Sequence, residues 1–189
     1  SVRDYDSHAE ISRTFLQESN NSMHSITIDE SHDCNVVEIE SDEPQVVCHI
    51  HITVESSTAL QIIFKGNCNW FGIHITSDIK ANSNLFVGIL NDLSKECKLL
   101  RCEDWNIHRD SHLTYGELSI GGGYAKSDIR TTLSGSNAGL IQSIAVITEE
   151  KRHDDHHTEI LHKSGHTNSS LTVNSSCSDR GHAIGTGLL

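Results

Sequence analysis

"HTEILHKSGHTNSSLTV", residues 157–173, carries the pattern on which the fold turns. Two alternating runs, "HTEILH" and "SSLTV", flank a polar corner. Alternation with period two over four to eight residues is the signature of a strand with one face on a core. The corner holds none of the Asn-Gly, Asp-Gly or Pro-Gly dipeptides that close tight hairpins. It suits a chain that turns a corner and continues rather than one that doubles back.

The same text extends in both directions. From about residue 24 the chain is a succession of such runs, among them "HSITI", "QVVCHIHITVE", "ALQIIF", "FGIHITSDI", "HLTYGELSI", "GLIQSIAVIT" and "GHAIGTGLL". Polar corners such as "SGSNAG" and "NSSCSDRG" interrupt them, and the chain has a single proline, Pro44. No later window sustains a helical stripe, so the fold class is all-β. Corners recurring roughly every ten residues fit a β-solenoid, whose turns stack and extend one apolar interior. A β-sandwich or jelly roll is the alternative. A short helix is expected over 6–20, "DSHAEISRTFLQESN", and "GGG" at 121–123 reads as a turn, since no helix follows to complete a phosphate loop.

Length and charge narrow the function. A chain of 189 residues is most simply one domain with a real core. A formal charge of -12, from 26 acids against 14 Lys and Arg, argues against binding nucleic acid. No apolar run approaches the roughly 20 residues of a membrane span, and "SVRDYDSHAEISRTFLQ" at the start has no secretory signature. The expected setting is the cytoplasm. Six cysteines at irregular spacing are expected to stay reduced.

The C-terminal ninety residues resemble the SufB/SufD family of iron–sulfur cluster assembly proteins. Three segments carry the resemblance in order: "KSDIRTTLSGSNAGLIQSIAVI", "HDDHHTEILHKSGHTNSS" and "DRGHAIGTGLL". The matching positions are Arg130, Leu133, Gly135 and Ala138, then His153, Asp155, His156, Thr158, Ile160, His162 and Ser169 or Ser170, and last Arg180, Ala183 and Gly187. A looser likeness reaches back to about residue 45, while 1–30 is unmatched. The resemblance implies a right-handed parallel β-helix, here a single domain over 1–189 with its core at 30–189. It also implies a non-enzymatic scaffold that pairs with itself as a homodimer or with a SufB/SufD paralogue, and works with the SufC-type ABC ATPase. The family's C-terminal helical region, where that ATPase docks, has no counterpart in this sequence.

Several constellations are candidates for chemistry. In "HDDHHTEILHKSGH", residues 153–166, alternation sets His153, Asp155, His157 and Glu159 on one strand face and Asp154, His156, Thr158 and Ile160 on the other. Neighbouring rungs of a solenoid can bring imidazoles and carboxylates together, so His153, Asp155, His157, His162 and His166 are candidate metal ligands. The competing reading is a solvated polar ladder on the outer face. His49, His51 and Glu55 match the H-x-H-x3-E spacing of a cupin metal site, an alternative metal-binding function. That reading lacks the glycine before the motif and the second histidine block that cupins carry. Cys177, in a polar corner, is the candidate thiol for a transient iron or iron–sulfur cluster, with no firmly held cofactor expected.

Overall fold

A computed structural model describes residues 22–28 and 35–188. The expected helix at 6–20 lies outside the described residues. In chain order the strands are β1 (Ser22–Ile28), β2 (Asn35–Glu40), β3 (Gln45–Val54), β4 (Thr58–Gly66), β5 (Trp70–Ile79), β6 (Asn84–Leu93), β7 (Lys98–Ile107), β8 (His112–Ser119), β9 (Tyr124–Leu133), β10 (Gly139–Thr148), β11 (His153–His162), β12 (Asn168–Cys177) and β13 (His182–Leu188). Odd-numbered strands form one sheet, β1-β3-β5-β7-β9-β11-β13, and even-numbered strands the other, β2-β4-β6-β8-β10-β12. Every pairing is parallel.

The chain is therefore a parallel β-helix of about six turns, consistent with the right-handed winding that parallel crossovers favour. A sandwich or jelly roll would need antiparallel pairs. The register stacks like on like: Trp70, Lys98, Tyr124, His153 and His182 lie in one column. Among the described residues no helix is long and apolar enough to cross a membrane.

The polar corners have a local cause. Asn82, Asp110, Asn137 and His166 all have positive φ, between 56° and 64°, at the same place in successive turns. Short side chains that bond locally tolerate this left-handed geometry, which is why Asn and Asp recur there. Consecutive corners are stitched together: Asn82 N–H donates to the Arg109 carbonyl, Asp110 N–H to Ser136, and Asn137 Nδ2 to Asp110 Oδ1 at 3.0 Å. At the opposite edge a Cβ on Gly121 would fall 2.2 Å from the Leu93 nitrogen, and one on Gly123 2.3 Å from the Lys95 carbonyl oxygen. The glycine triplet lets this corner lie flat on the one before it.

Alternation fills the interior. Ile50, Ile52, Val54, Leu60, Ile62, Phe64, Phe71, Ile73, Ile75 and Ile79 are buried between the sheets in the early turns, with Phe64 and Phe71 rings 5.9 Å apart. Each such side chain contributes about 1.5–3 kcal/mol when removed from water. From β7 onward the interior changes character, and that change locates the site.

Candidate functional site

On β7 the inward positions are Leu99, Arg101, Glu103, Trp105 and Ile107, and on β8 Leu113, Tyr115, Glu117 and Ser119. On β11 they are Asp154, His156, Thr158 and Ile160. Ionisable groups thus occupy positions that apolar residues fill in earlier turns. Arg101 sits in the column Ile73, Arg101, Ser127, His156, Gly185, and Arg101 and Glu103 are both 0% exposed.

These groups form one connected network. Arg101 Nη2 donates to Glu117 Oε1 at 2.6 Å, and His156 Nε2 lies 2.9 Å from the same oxygen. Tyr115 donates its hydroxyl to Glu117 Oε2 at 3.0 Å and reaches Glu103 Oε1 at 3.3 Å. Trp105 Nε1 donates to Glu103 Oε2 at 2.6 Å. On the other side, His156 Nδ1 contacts Asp154 Oδ1 at 2.6 Å as an ion pair. Arg152 Nη2 donates to Asp154 Oδ2 at 2.6 Å and to Ser119 Oγ at 2.7 Å. Arg152 also lines the groove over the glycine corner, so the network runs from that edge into the middle of the coil.

Charge pairing sets the protonation states. Burial opposes the Glu117 charge, but Arg101 and His156 outweigh it and bring the carboxyl down to about 2. Burial likewise opposes the His156 charge, yet Glu117 and Asp154 raise its pKa to about 9. Asp154 is lowered, because contact with His156 and Arg152 overcomes burial. Glu103 is raised, since burial outweighs the help it gets from Arg101. Near neutral pH, Arg101, Arg152 and protonated His156 face ionised Glu117 and Asp154, with Glu103 the group most ready to take up a proton. An ionic cluster this dry is a poor way to gain stability compared with apolar packing, and buried, perturbed groups of this kind concentrate at functional positions. Around it, Arg101 Nη1, Ser127 Oγ and both amide atoms of Gln142 have no hydrogen-bond partner among the described residues, while Arg101 Nε faces Glu103 Oε1 at 3.4 Å as an ion pair.

The outer face of the odd-numbered sheet holds the residues singled out from sequence. His49, His74, Cys102, Asp128 and His157 form one column. His49 and His74 rings meet edge to face at 4.9 Å. His74 Nε2 lies 2.9 Å from Asp104 Oδ2, and His157 Nδ1 3.1 Å from Asp128 Oδ1. Asp155 accepts from Lys126 Nζ at 2.8 Å. His153 stacks on Tyr124 with centroids 5.3 Å apart and neighbours His182. His162 bonds Thr167 and Ser169 at the exposed end of β11, and His166 occupies an exposed corner. Solvent reaches this set unevenly: Asp155 and His157 are buried, His153 is half-buried, and His162 and His166 are exposed. Asp155 and His157 are 7% and 5% exposed, each paired with the side chain beside it in the register, Lys126 and Asp128.

Among the described residues no three His, Cys, Asp or Glu converge in an arrangement that could hold a metal ion. His51 is engaged by Thr76 Oγ1 at 2.8 Å and Thr53 Oγ1 at 3.3 Å, while Glu55 is exposed in the corner beyond β3. The parallel coil is also not the antiparallel double sheet on which a cupin site is built, so that alternative falls with its fold. Cys177 is exposed at the end of β12, whereas Cys48, Cys68, Cys97 and Cys102 are buried, all five as free thiols.

Sequence reasoning missed Arg101, Glu103, Tyr115, Glu117 and Arg152. The signal was present for the first four. In "KLLRCEDWNI" the period of two sets Arg101 and Glu103 with Leu99, Trp105 and Ile107, and in "HLTYGELSI" it sets Glu117 with Leu113.

The family model described as SUF system FeS cluster assembly, SufBD core domain, matches residues 35–189. No curated protein and no solved structure matches.

Proposed function

The chain belongs to the SufB/SufD family, whose role is iron–sulfur cluster assembly in the SUF system, and on that premise we propose that it is a non-enzymatic scaffold meeting sulfur or iron at Cys177. The observation that carries this is that, among the described residues, Cys177 is exposed while the four other cysteines are buried. A soft thiolate ligates iron and can take sulfane sulfur from a persulfide donor, which leaves as a thiolate, and only an exposed one can meet either. The cluster is cargo, held transiently. His153 begins β11 at the edge where β12 ends in Cys177, Asp155 and His157 follow along that strand, and His162 and His166 lie at the opposite edge, so in this reading His153 is the one placed to support the handover.

Pairing through the β-helix, with a second copy or a SufB/SufD paralogue, completes the proposal. The outer face of the even-numbered sheet supports it. Phe86 and Ile141 are 57% and 56% exposed on either side of Thr114 in one column, with Leu118 and Ile147 exposed nearby. Large apolar side chains left exposed on one sheet face are a usual mark of an interaction surface. Cooperation with a SufC-type ATPase, in the cytoplasm, is the corresponding setting. Buried reduced thiols suit a reducing compartment.

Anaerobic reconstitution with ferrous iron and sulfide tests the cargo role. Sulfide-dependent visible absorption should form on the native chain and fall several-fold in Cys177→Ser. Equal loading of the variant would remove Cys177 from the role. Light scattering tests pairing: a paired species that Phe86→Glu abolishes is expected, and a strict monomer at high concentration, with or without a paralogue, counts against it.

A further inference from the structure

Cys68 and Cys97 occupy the same edge of the coil one turn apart. Cys68 lies in the corner between β4 and β5, and Cys97 in the corner between β6 and β7. Backbone bonds lock the two corners together. Lys98 N–H donates to the Asn69 carbonyl and Ser94 N–H to the Gly66 carbonyl, each at 3.0 Å, and Cys97 N–H closes its own corner on the Ser94 carbonyl at 2.9 Å. The two Sγ atoms are 2.7 Å apart. Both side chains are buried, at 2% and 0% exposure. Two sulfurs this close are already inside ordinary non-bonded contact, and each side chain has little freedom to turn away. Cys48 and Cys102 lie elsewhere, the first facing the interior of β3 and the second the outer face of β7.

We propose that Cys68 and Cys97 are a modification site, a latent disulfide that hydrogen peroxide closes and a dithiol reductant reopens, stapling two consecutive turns of the β-helix. One thiol attacks a peroxide oxygen, the O–O bond breaks, and sulfenic acid and one water form. The second thiol then displaces the sulfenic oxygen, forming the S–S bond and releasing a second water. Two thiols lose two electrons and two protons, and the peroxide is reduced to two waters. The dithiol reverses the link by exchange through a mixed disulfide.

The pair is built to respond slowly. Burial, then the neighbouring Cys68, pushes the Cys97 thiol up to about 12, so near neutral pH it stays protonated and is a poor nucleophile. Closure therefore waits on local opening of the corner. Once closed, the bond ties β4–β5 to β6–β7 at the edge where the glycine corner begins. A solenoid frays turn by turn, because each turn contacts only its neighbours, and a covalent tie between turns blocks that route.

Peptide mapping of the full chain after hydrogen peroxide treatment, quenching and alkylation tests the proposal. Trypsin cuts after Lys65, Lys80, Lys95 and Lys98, so the link joins 66–80 to 96–98 as a species lighter by two hydrogens that separates on reduction. This species is expected to accumulate after Cys177 has oxidised, to persist in Cys177→Ser, and to vanish in both Cys68→Ala and Cys97→Ala. Amide exchange across 66–70 and 94–98 should slow at least tenfold in the linked form. Recovery of Cys68 and Cys97 as alkylated thiols after Cys177 is fully oxidised would overturn the proposal. So would sulfinic acid at either position in place of the link. The native chain alone decides between these results, whether or not the alanine variants fold.

Discussion

Replacing Glu117 with Gln removes the charge that Arg101 and His156 share. Both cations direct a nitrogen at Glu117 Oε1, at 2.6 and 2.9 Å, and they lie 3.2 Å from one another. With the carboxylate gone, Arg101, at 0% exposure, keeps its charge with no solvent to screen it, and His156, at 2% exposure, loses the group that does most to hold its proton. Glu103 and Asp154 hold their other sides but do not stand between them. Breaking a buried ion pair by removing one partner costs about 3–5 kcal/mol. For a chain of this size that corresponds to a melting temperature lower by about 6–20 °C, at roughly 2–4 °C per kcal/mol. The assay is thermal and urea unfolding followed by circular dichroism at pH 7. A companion variant separates charge from shape: Arg101→Met with Glu117→Leu fills the same space without ions and should recover most of the loss. A Glu117→Gln protein melting within about 2 °C of the native chain would refute the argument, since it would mean that water or a rearranged neighbour already satisfies Arg101 and His156.

Two further outcomes follow from the same structure. His156 is raised to about 9 from 6.5, so its contribution is fully present below 6.5 and lost as pH rises through 9. Glu117 is lowered to about 2 from 4.5, so its contribution is present above 4.5 and lost as pH falls through 2. Stability from the network should therefore peak between pH 4.5 and 6.5, and a urea midpoint that keeps rising from pH 7 to 9 would contradict it. At the αL corner, Asn137 has φ 61° and donates to Asp110. Asn137→Gly should cost under about 1 kcal/mol, whereas Asn137→Val should cost about 1–2 kcal/mol more. Equal urea midpoints for the two variants would show that the corner is not held at that geometry.

What the sequence by itself determined is the coil. "HTEILH" and "SSLTV" with a polar corner between them carry strand, turn and strand in a form that reads locally, because period-two burial and the left-handed tolerance of Asn and Asp are properties of a few adjacent residues. The ordered segments from Arg130 to Gly187 likewise sufficed for the family, and Cys177 was marked by the polar residues around it. Tertiary structure alone decided which side chains meet. His153, Asp155 and His157 share a face by alternation, yet their partners Tyr124, Lys126 and Asp128 come from a strand 29 residues earlier, through the register of β9 and β11. The interior network depends on three strands and a corner from different turns, and the Cys68–Cys97 contact on two corners one turn apart. In a solenoid whose turns vary in length, a shift of one residue in any corner moves every later side chain to a different column or face. The stacking of turns therefore fixes those meetings, and it is set by the whole core rather than by any one stretch of sequence.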